Sequence, residues 1–304
     1  MQQRAGASGE VSVAAVQWPL AVHRHFADFA IEVERALDMA AGADVVVFPE
    51  YLTLSLFTSL GGWRGMQERD YARIGRYTDD YVTLFQNAAR QRNATILAGT
   101  HLVEGSDGRV RNVAHLFLAD GTVHRHAKTH LFGDERNWCD TEGDDLCVVE
   151  LPSCTVGVAV CYEAEFPEVA TALAARGADL ILCPAYTFAQ RGFWRVRHCL
   201  HARCIENQVC AVHASLVGDV GAPLRPGVGR SAVLTPCDRG YPEDGVLAEV
   251  SGLELGVARA TLSPRTWRHD RDGGEAPTRR DRSRRAVDYS RWSVTSMSNL
   301  LTQG

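Results

Sequence analysis

Lysine is almost missing from this chain of 304 residues. Of 32 Lys plus Arg, Lys128 alone is lysine and the other 31 are arginine. Long apolar runs are also missing, so no membrane-spanning helix is expected. No apolar stretch precedes the alternating pattern from Val11, so no secretory leader is read and a cytoplasmic protein is expected. A net charge of −5 carries no basic excess, which removes the reason to expect nucleic acid or a membrane as partner. There is no Cys-x-x-Cys and no His-Glu-x-x-His, the common zinc spacings. No metal and no cofactor are expected. Nine cysteines, an odd number at irregular spacing, argue against a disulfide framework.

What is present fits a globular protein: 45% hydrophobic and 23% charged residues, on a chain long enough for a large core. Residues 11–17 alternate as a half-buried strand does, and 26–40 carry apolar residues at helical spacing. Residues 44–48 form a β-branched run closed by Pro49, which reads as a buried strand ending at Glu50. Residues 51–78 look like an irregular loop over the strand ends. A helix is expected over 79–92 and a strand over 94–100. A hairpin is expected over 110–118 and 122–126, with Lys128 just past its end.

Further on, 155–160 reads as a buried strand, 161–166 as a turn, and Pro167 as the first residue of a helix. Strands over 179–183, 209–215, 231–235, 246–250 and 255–261, with a helix over 192–207, complete an α/β pattern without a composition break. One domain over 1–304 is expected, its core at about 11–262. The arginine-rich stretch 268–285 reads as a solvated, mobile segment rather than a phosphate-binding arm.

Three residues carry the candidate chemistry. Where surface cations are written as arginine, the one compact ammonium is the group that arginine's broad fork cannot imitate in a confined pocket. A coding bias with one chance survivor is the plainer reading of Lys128. Cys161 follows an apolar strand and precedes a helix N-terminus, a position that favours a thiolate and offers backbone N–H groups to a developing oxyanion. The other eight cysteines lie in apolar elements or without polar company, as buried structural cysteine does. Glu50 places a carboxylate at the end of another buried strand, although a glutamate after proline is often only a turn residue.

Phe48-Pro49-Glu50, then Lys128 with His130-Leu131, then Val160-Cys161-Tyr162-Glu163, in that order, resemble the nitrilase superfamily of carbon–nitrogen hydrolases. Arg203-Cys204-Ile205-Glu206-Asn207 is similar to a helix end of the same family, and the resemblance spans about 11–261. It implies a Glu50-Lys128-Cys161 triad on a four-layer αββα sandwich, dimerising to αββα-αββα. It also implies a second glutamate between the lysine and the cysteine, a place that Glu135 fits. Asp134 is its neighbour, and a loop carboxylate paired with Arg136 is the other reading of Glu135.

In this reading Glu50 moves protons, Cys161 attacks, and Lys128 with the Tyr162 backbone N–H holds the oxyanion. Glu135 orients Lys128. Tyr162 after the cysteine points to an amide substrate, with a nitrile, an N-carbamoyl compound or acyl transfer as alternatives. Trp138, Tyr186 and Phe188 are candidate pocket walls for a small-molecule amide or nitrile. Two readings of other classes stand beside these. One is a metal protein using His198, Cys199, His201 and Cys204; the other is a binding module that keeps the fold without the chemistry.

Overall fold

The structure is a computed structural model that describes residues 9–263 and 273–292. The apolar runs become strands, most of them buried on both faces. In chain order these are β1 (Val11–Pro19), β2 (Val45–Val47), β3 (Thr95–Glu104), β4 (Val110–Phe117), β5 (Val123–Ala127), β6 (Val148–Glu150), β7 (Thr155–Val158), β8 (Leu180–Ala185), β9 (Cys210–Val217), β10 (Ala232–Leu234), β11 (Val246–Glu249) and β12 (Gly256–Leu262). They join in one mixed sheet ordered β5-β4-β3-β2-β1-β9-β8-β7-β6, with β12 beside β1 and with β10 between β9 and β11.

That sheet curls at β1. Residues 11–17 pair with β12, whereas only Trp18 and Pro19 reach Leu216 and Val217 of β9. The first half, β1 to β5 with β12, therefore folds back over the second half, β6 to β11. Strand periodicity decides what lies between them. Val13, Ala15, Val45, Val47, Leu97 and Leu116 pack in one buried cluster with Val156, Val158, Leu180, Leu182 and Val212. Ala14, Val16, Val46 and Ile96, of opposite parity, join a second cluster beneath the helices.

Those helices are α1 (Phe26–Met39) and α2 (Thr78–Arg92), which bury Phe29, Val33, Ala36 and Leu37, and Tyr81, Phe85, Ala88 and Ala89. Against the second half lie α3 (Pro167–Ala175), which opens with proline as expected, and α4 (Gln190–Asn207). Asn93 and Gln208, both left-handed, close α2 and α4. Among the described residues no helix is long and apolar enough to cross a membrane.

Two expectations change. Residues 51–78 are not a loop but three short 3-10 segments, Leu52–Ser59, Trp63–Gly65 and Glu68–Tyr77, and residues 52–58 are wholly buried. Their apolar side chains lack helical or strand spacing, so periodicity could not reveal them. Strand β6 is an addition, too short at three residues to show a pattern. In the arginine-rich stretch, 268–272 lie outside the described residues. The rest contains α5 (Thr278–Arg284), which buries no residue but has arginines hydrogen-bonded to the body of the protein. Arg282 donates to Asn207 Oδ1 (2.6 Å) and Thr171 Oγ1 (3.2 Å), and Arg279 to the Ala174 carbonyl (2.8 Å). Carbonyls at helix ends are natural acceptors for such arginines, and Ala174 O takes Arg279 in addition to the Gly177 N–H (3.1 Å).

Candidate active site

Glu50 is held where β2 runs out. Phe48 N–H still donates to Leu97 O (2.8 Å), and Pro49 then stops the ladder. The register of β3 on β4 shifts between Leu97 and Thr100, and Gly99 there has a φ of +63°. A Cβ on Gly99 would lie 1.9 Å from the Pro49 carbonyl oxygen, so only glycine lets the two backbones meet. Thr100 Oγ1 then accepts the Tyr51 N–H (2.8 Å) and fixes the turn that carries Glu50.

Lys128 comes from the hairpin expected of the sequence. Its N–H donates to Asn112 O (2.9 Å), extending the β4–β5 ladder one step, and its carbonyl accepts the Gly143 N–H (2.8 Å). The side chain meets two carboxylates: Nζ donates to Glu50 Oε1 at 2.7 Å and to Glu135 Oε2 at 2.5 Å. Glu50, Lys128 and Glu135 are 1%, 1% and 2% exposed, so these charges have almost no water and must satisfy one another.

Glu135 sits on the 3-10 turn Gly133–Asn137, with Oε2 also accepting the Phe132 N–H (2.8 Å). Its Oε1 accepts the Tyr51 hydroxyl (2.7 Å) and the Asn112 amide (3.1 Å). Arg136 is not its partner, since that guanidinium reaches Glu142 (2.8 Å). Asp134 faces the other way and pairs with Arg225.

Cys161 opens the 3-10 turn Cys161–Glu165, where the sequence suggests a plain turn. Four non-glycine residues among those described have positive φ. Asn93 and Gln208 end helices, while Tyr51 (54°) and Cys161 (47°) stand at the site. Such a conformation costs about 1–3 kcal/mol and persists only where surrounding contacts impose it. Glu163 supplies them. Its carboxylate accepts Val160 N–H (2.5 Å), Thr129 N–H (2.7 Å) and the Thr129 hydroxyl (2.6 Å), and both its oxygens lie 3.0 Å from His126 Nε2. One buried carboxylate thus joins the cysteine turn to the residue after Lys128. Tyr186 connects the remaining pair: its N–H donates to Glu50 Oε2 (3.0 Å), and its carbonyl lies 3.8 Å from Cys161 Sγ.

Burial sets the proton affinities. Removal from water, reinforced by Glu135, pushes the Glu50 carboxyl up to about 7 against the opposing pull of Lys128. Burial and the Glu50 charge push the Cys161 thiol well above its ordinary range, with Lys128 opposing. This corrects the expectation of a favoured thiolate: at rest the sulfur keeps its proton. Burial alone would lower the Lys128 ammonium, but Glu135 and Glu50 outweigh it and hold it high.

These groups line a cavity of about 100 Å3. Phe132, Tyr162, Tyr186 and Phe188 contribute aromatic surface to it, and Arg191 and Arg195 of α4 line it as well. Of the three aromatic wall candidates, Tyr186 and Phe188 are therefore brought to the cavity, together with Tyr162. Trp138 is not; it stands behind Tyr51, donating from Nε1 to the Tyr51 hydroxyl (2.9 Å) with its ring 5.3 Å from that of Tyr71. On α4, His198 stacks on Trp194, His201 Nε2 lies 3.3 Å from the Gly245 carbonyl, and Cys204 is fully buried. Among the described residues no three His, Cys, Asp or Glu side chains are grouped to hold a metal.

Sequence reasoning missed Asn112 and Tyr51. Asn112 had a signal, a polar side chain at the parity of Ala114 and Leu116, which face the buried cluster between the halves. Tyr51 had none, because its role depends on a left-handed turn.

Residues 12–269 match the carbon–nitrogen hydrolase family model. The chain is 32% identical over 284 residues to a probable hydrolase of Bacillus subtilis, a match covering 90% of this chain and 54% of that protein. It therefore spans about half the length of that relative. It is 31% identical over 195 residues to an (R)-stereoselective amidase of a Pseudomonas species, covering 63% of this chain and 67% of that protein. In fold it is similar to an amidase of the nitrilase superfamily from Nesterenkonia, with a TM-score of 0.71 at 23% identity, covering 94% of this chain and 97% of that one.

Proposed function

The chain belongs to the carbon–nitrogen hydrolase family, and from that premise we propose that it cleaves the carbon–nitrogen bond of a small-molecule amide through a thioester on Cys161. The observation that carries this reading is the buried Glu50–Lys128–Glu135 cluster lining one cavity with Cys161. Glu50 takes the thiol proton, and the sulfur attacks the amide carbon. The negative charge that forms on oxygen is met by Lys128 and the Tyr162 N–H. Glu50 returns its proton to the departing nitrogen, which leaves as ammonia or an amine. Water then gives a proton to Glu50 and its oxygen to the thioester. The acid departs, and the sulfur recovers the proton.

Glu135 keeps Lys128 aimed. The aromatic side chains of the cavity suit an apolar acyl group. The finer architecture belongs to the same reading: a single catalytic domain, built as an αββα sandwich, that pairs with a second copy to αββα-αββα in the cytoplasm. The amidase names of several relatives support an amide substrate.

The test is a panel of amides, nitriles and carbamoyl compounds assayed for ammonia release, with mass spectrometry of the protein during turnover. An acyl adduct on Cys161 with an amide, absent in Cys161→Ala along with all turnover, is expected. Turnover in Cys161→Ala would sink the mechanism, and release from nitriles alone would sink the substrate class.

A further inference from the structure

The site asks one ammonium to serve two carboxylates in a dry pocket, and a neutral side chain shares that work. Asn112 Nδ2 lies 3.0 Å from Glu50 Oε1 and 3.1 Å from Glu135 Oε1, so a single amide donates to both. Its own carbonyl oxygen is buried with no hydrogen-bond partner. An unpaired buried acceptor lowers stability, so packing alone does not explain an asparagine at this place. The donor side is what the site uses.

We propose that Asn112 is a positioning residue that divides the labour of the two Glu50 oxygens, leaving Oε2 as the one that receives the Cys161 proton. A carboxylate oxygen has two lone-pair directions. On Oε1 both are taken, by Lys128 Nζ (2.7 Å) and by Asn112 Nδ2. Oε2 accepts the Tyr186 N–H and has one direction left. Tyr186 also brings its carbonyl to 3.8 Å from Cys161 Sγ, so the half-free oxygen and the thiol meet the same residue. In the step, the S–H bond breaks and an O–H bond forms at Oε2, while Oε1 keeps both donors.

The titratable groups around Glu50 are Lys128 after β5, Glu135 and Cys139 at the 3-10 turn, Tyr51 beside it, Cys161 at its turn, and Cys183 and Tyr186 from β8 and its end. Removing the Asn112 donor leaves all of them in place and makes the Glu50 carboxylate harder to keep ionised.

This inference rests on Glu50 being the base, and the experiment separates the two. The full chain is treated with iodoacetamide across pH, and alkylation of the Cys161 peptide is timed by mass spectrometry. In the unmodified protein the rate should rise about tenfold per pH unit until Glu50 is ionised. Asn112→Leu should move that rise upward by about one pH unit, slowing alkylation at pH 6 by about tenfold. Asn112→Asp, which adds a third carboxylate, should move it further. Where the leucine variant does not fold by thermal melting, Asn112→Ser takes its place, and its smaller displacement serves the same comparison. Folded variants that keep the original profile, while Glu50→Gln loses it, overturn the role of Asn112. If Glu50→Gln also keeps the profile, the assignment of the base itself fails.

Discussion

The two halves of the curled sheet bring different chemistry to the cavity. The first half, β1 to β5 with β12, carries Glu50, Asn112 and Lys128 at or just beyond its strands, with Glu135 on the turn that follows. These are charges and the amide that holds them. The second half carries the cysteine, the Tyr186 peptide and, through α4, the two arginines that line the cavity. In the proposed mechanism neither half suffices alone, because Glu50 and Cys161 arrive from opposite sides of one packed interface. The geometry of the proposed site is a property of how two sheet faces seat on each other, and close-packed interiors seat in one way. Glu163, on the cysteine side, reaches across to Thr129 and His126 and fixes that seating.

The largest break of this division comes from the charged side. Lys128→Arg keeps the charge but not its size, and a planar guanidinium in the place of a buried ammonium cannot meet two carboxylates and leave room for substrate. Ammonia release should fall by about 1,000-fold or more, with the fold retained by circular dichroism. Turnover near the original rate would mean that the compact ammonium is not what the site needs.

A smaller effect tests the seam itself. Glu163→Gln keeps the side chain's size and puts a donor where several N–H and O–H groups now converge on an acceptor. It should cost about 1–3 kcal/mol in chemical denaturation, and the cysteine turn should lose enough alignment to lower kcat about 10- to 100-fold. A variant that is destabilised with unchanged kcat would show that the two halves keep their register without the clamp.

The gentlest perturbation is pH. Burial first, and then Glu135, raise the Glu50 carboxyl to about 7. Below that pH Glu50 is protonated and cannot receive the thiol proton, so kcat/KM should fall about tenfold per unit on the acid side and level off above it. A flat profile from pH 5 to 8 would remove Glu50 as the base.

Much of this was legible in the sequence, and the reason lies in where the residues sit. Glu50 and Cys161 each follow an apolar strand run, and Lys128 follows the second strand of a hairpin announced by its Asp120-Gly121 turn, so the strand ends could be read. Glu135 was placed by family resemblance, and the structure puts it 2.5 Å from Lys128. Trp138 is misread as a wall when closeness along the chain is taken for closeness to the cavity; its indole is spent on the Tyr51 hydroxyl. The buried 3-10 segments over 51–78 stayed hidden, since no repeating face announces them. The thiolate follows from the helix N-terminus alone, and desolvation is the stronger influence.

The scarcity of lysine has a practical side. The side chain of Lys128 is enclosed between carboxylates and 1% exposed, so amine-selective reagents find no lysine on the described surface of this protein. A fluorophore ester that acylates Lys128 must first enter the cavity and pull the ammonium away from both Glu50 and Glu135. Its slow incorporation there would therefore clock how often the ammonium leaves those two carboxylates.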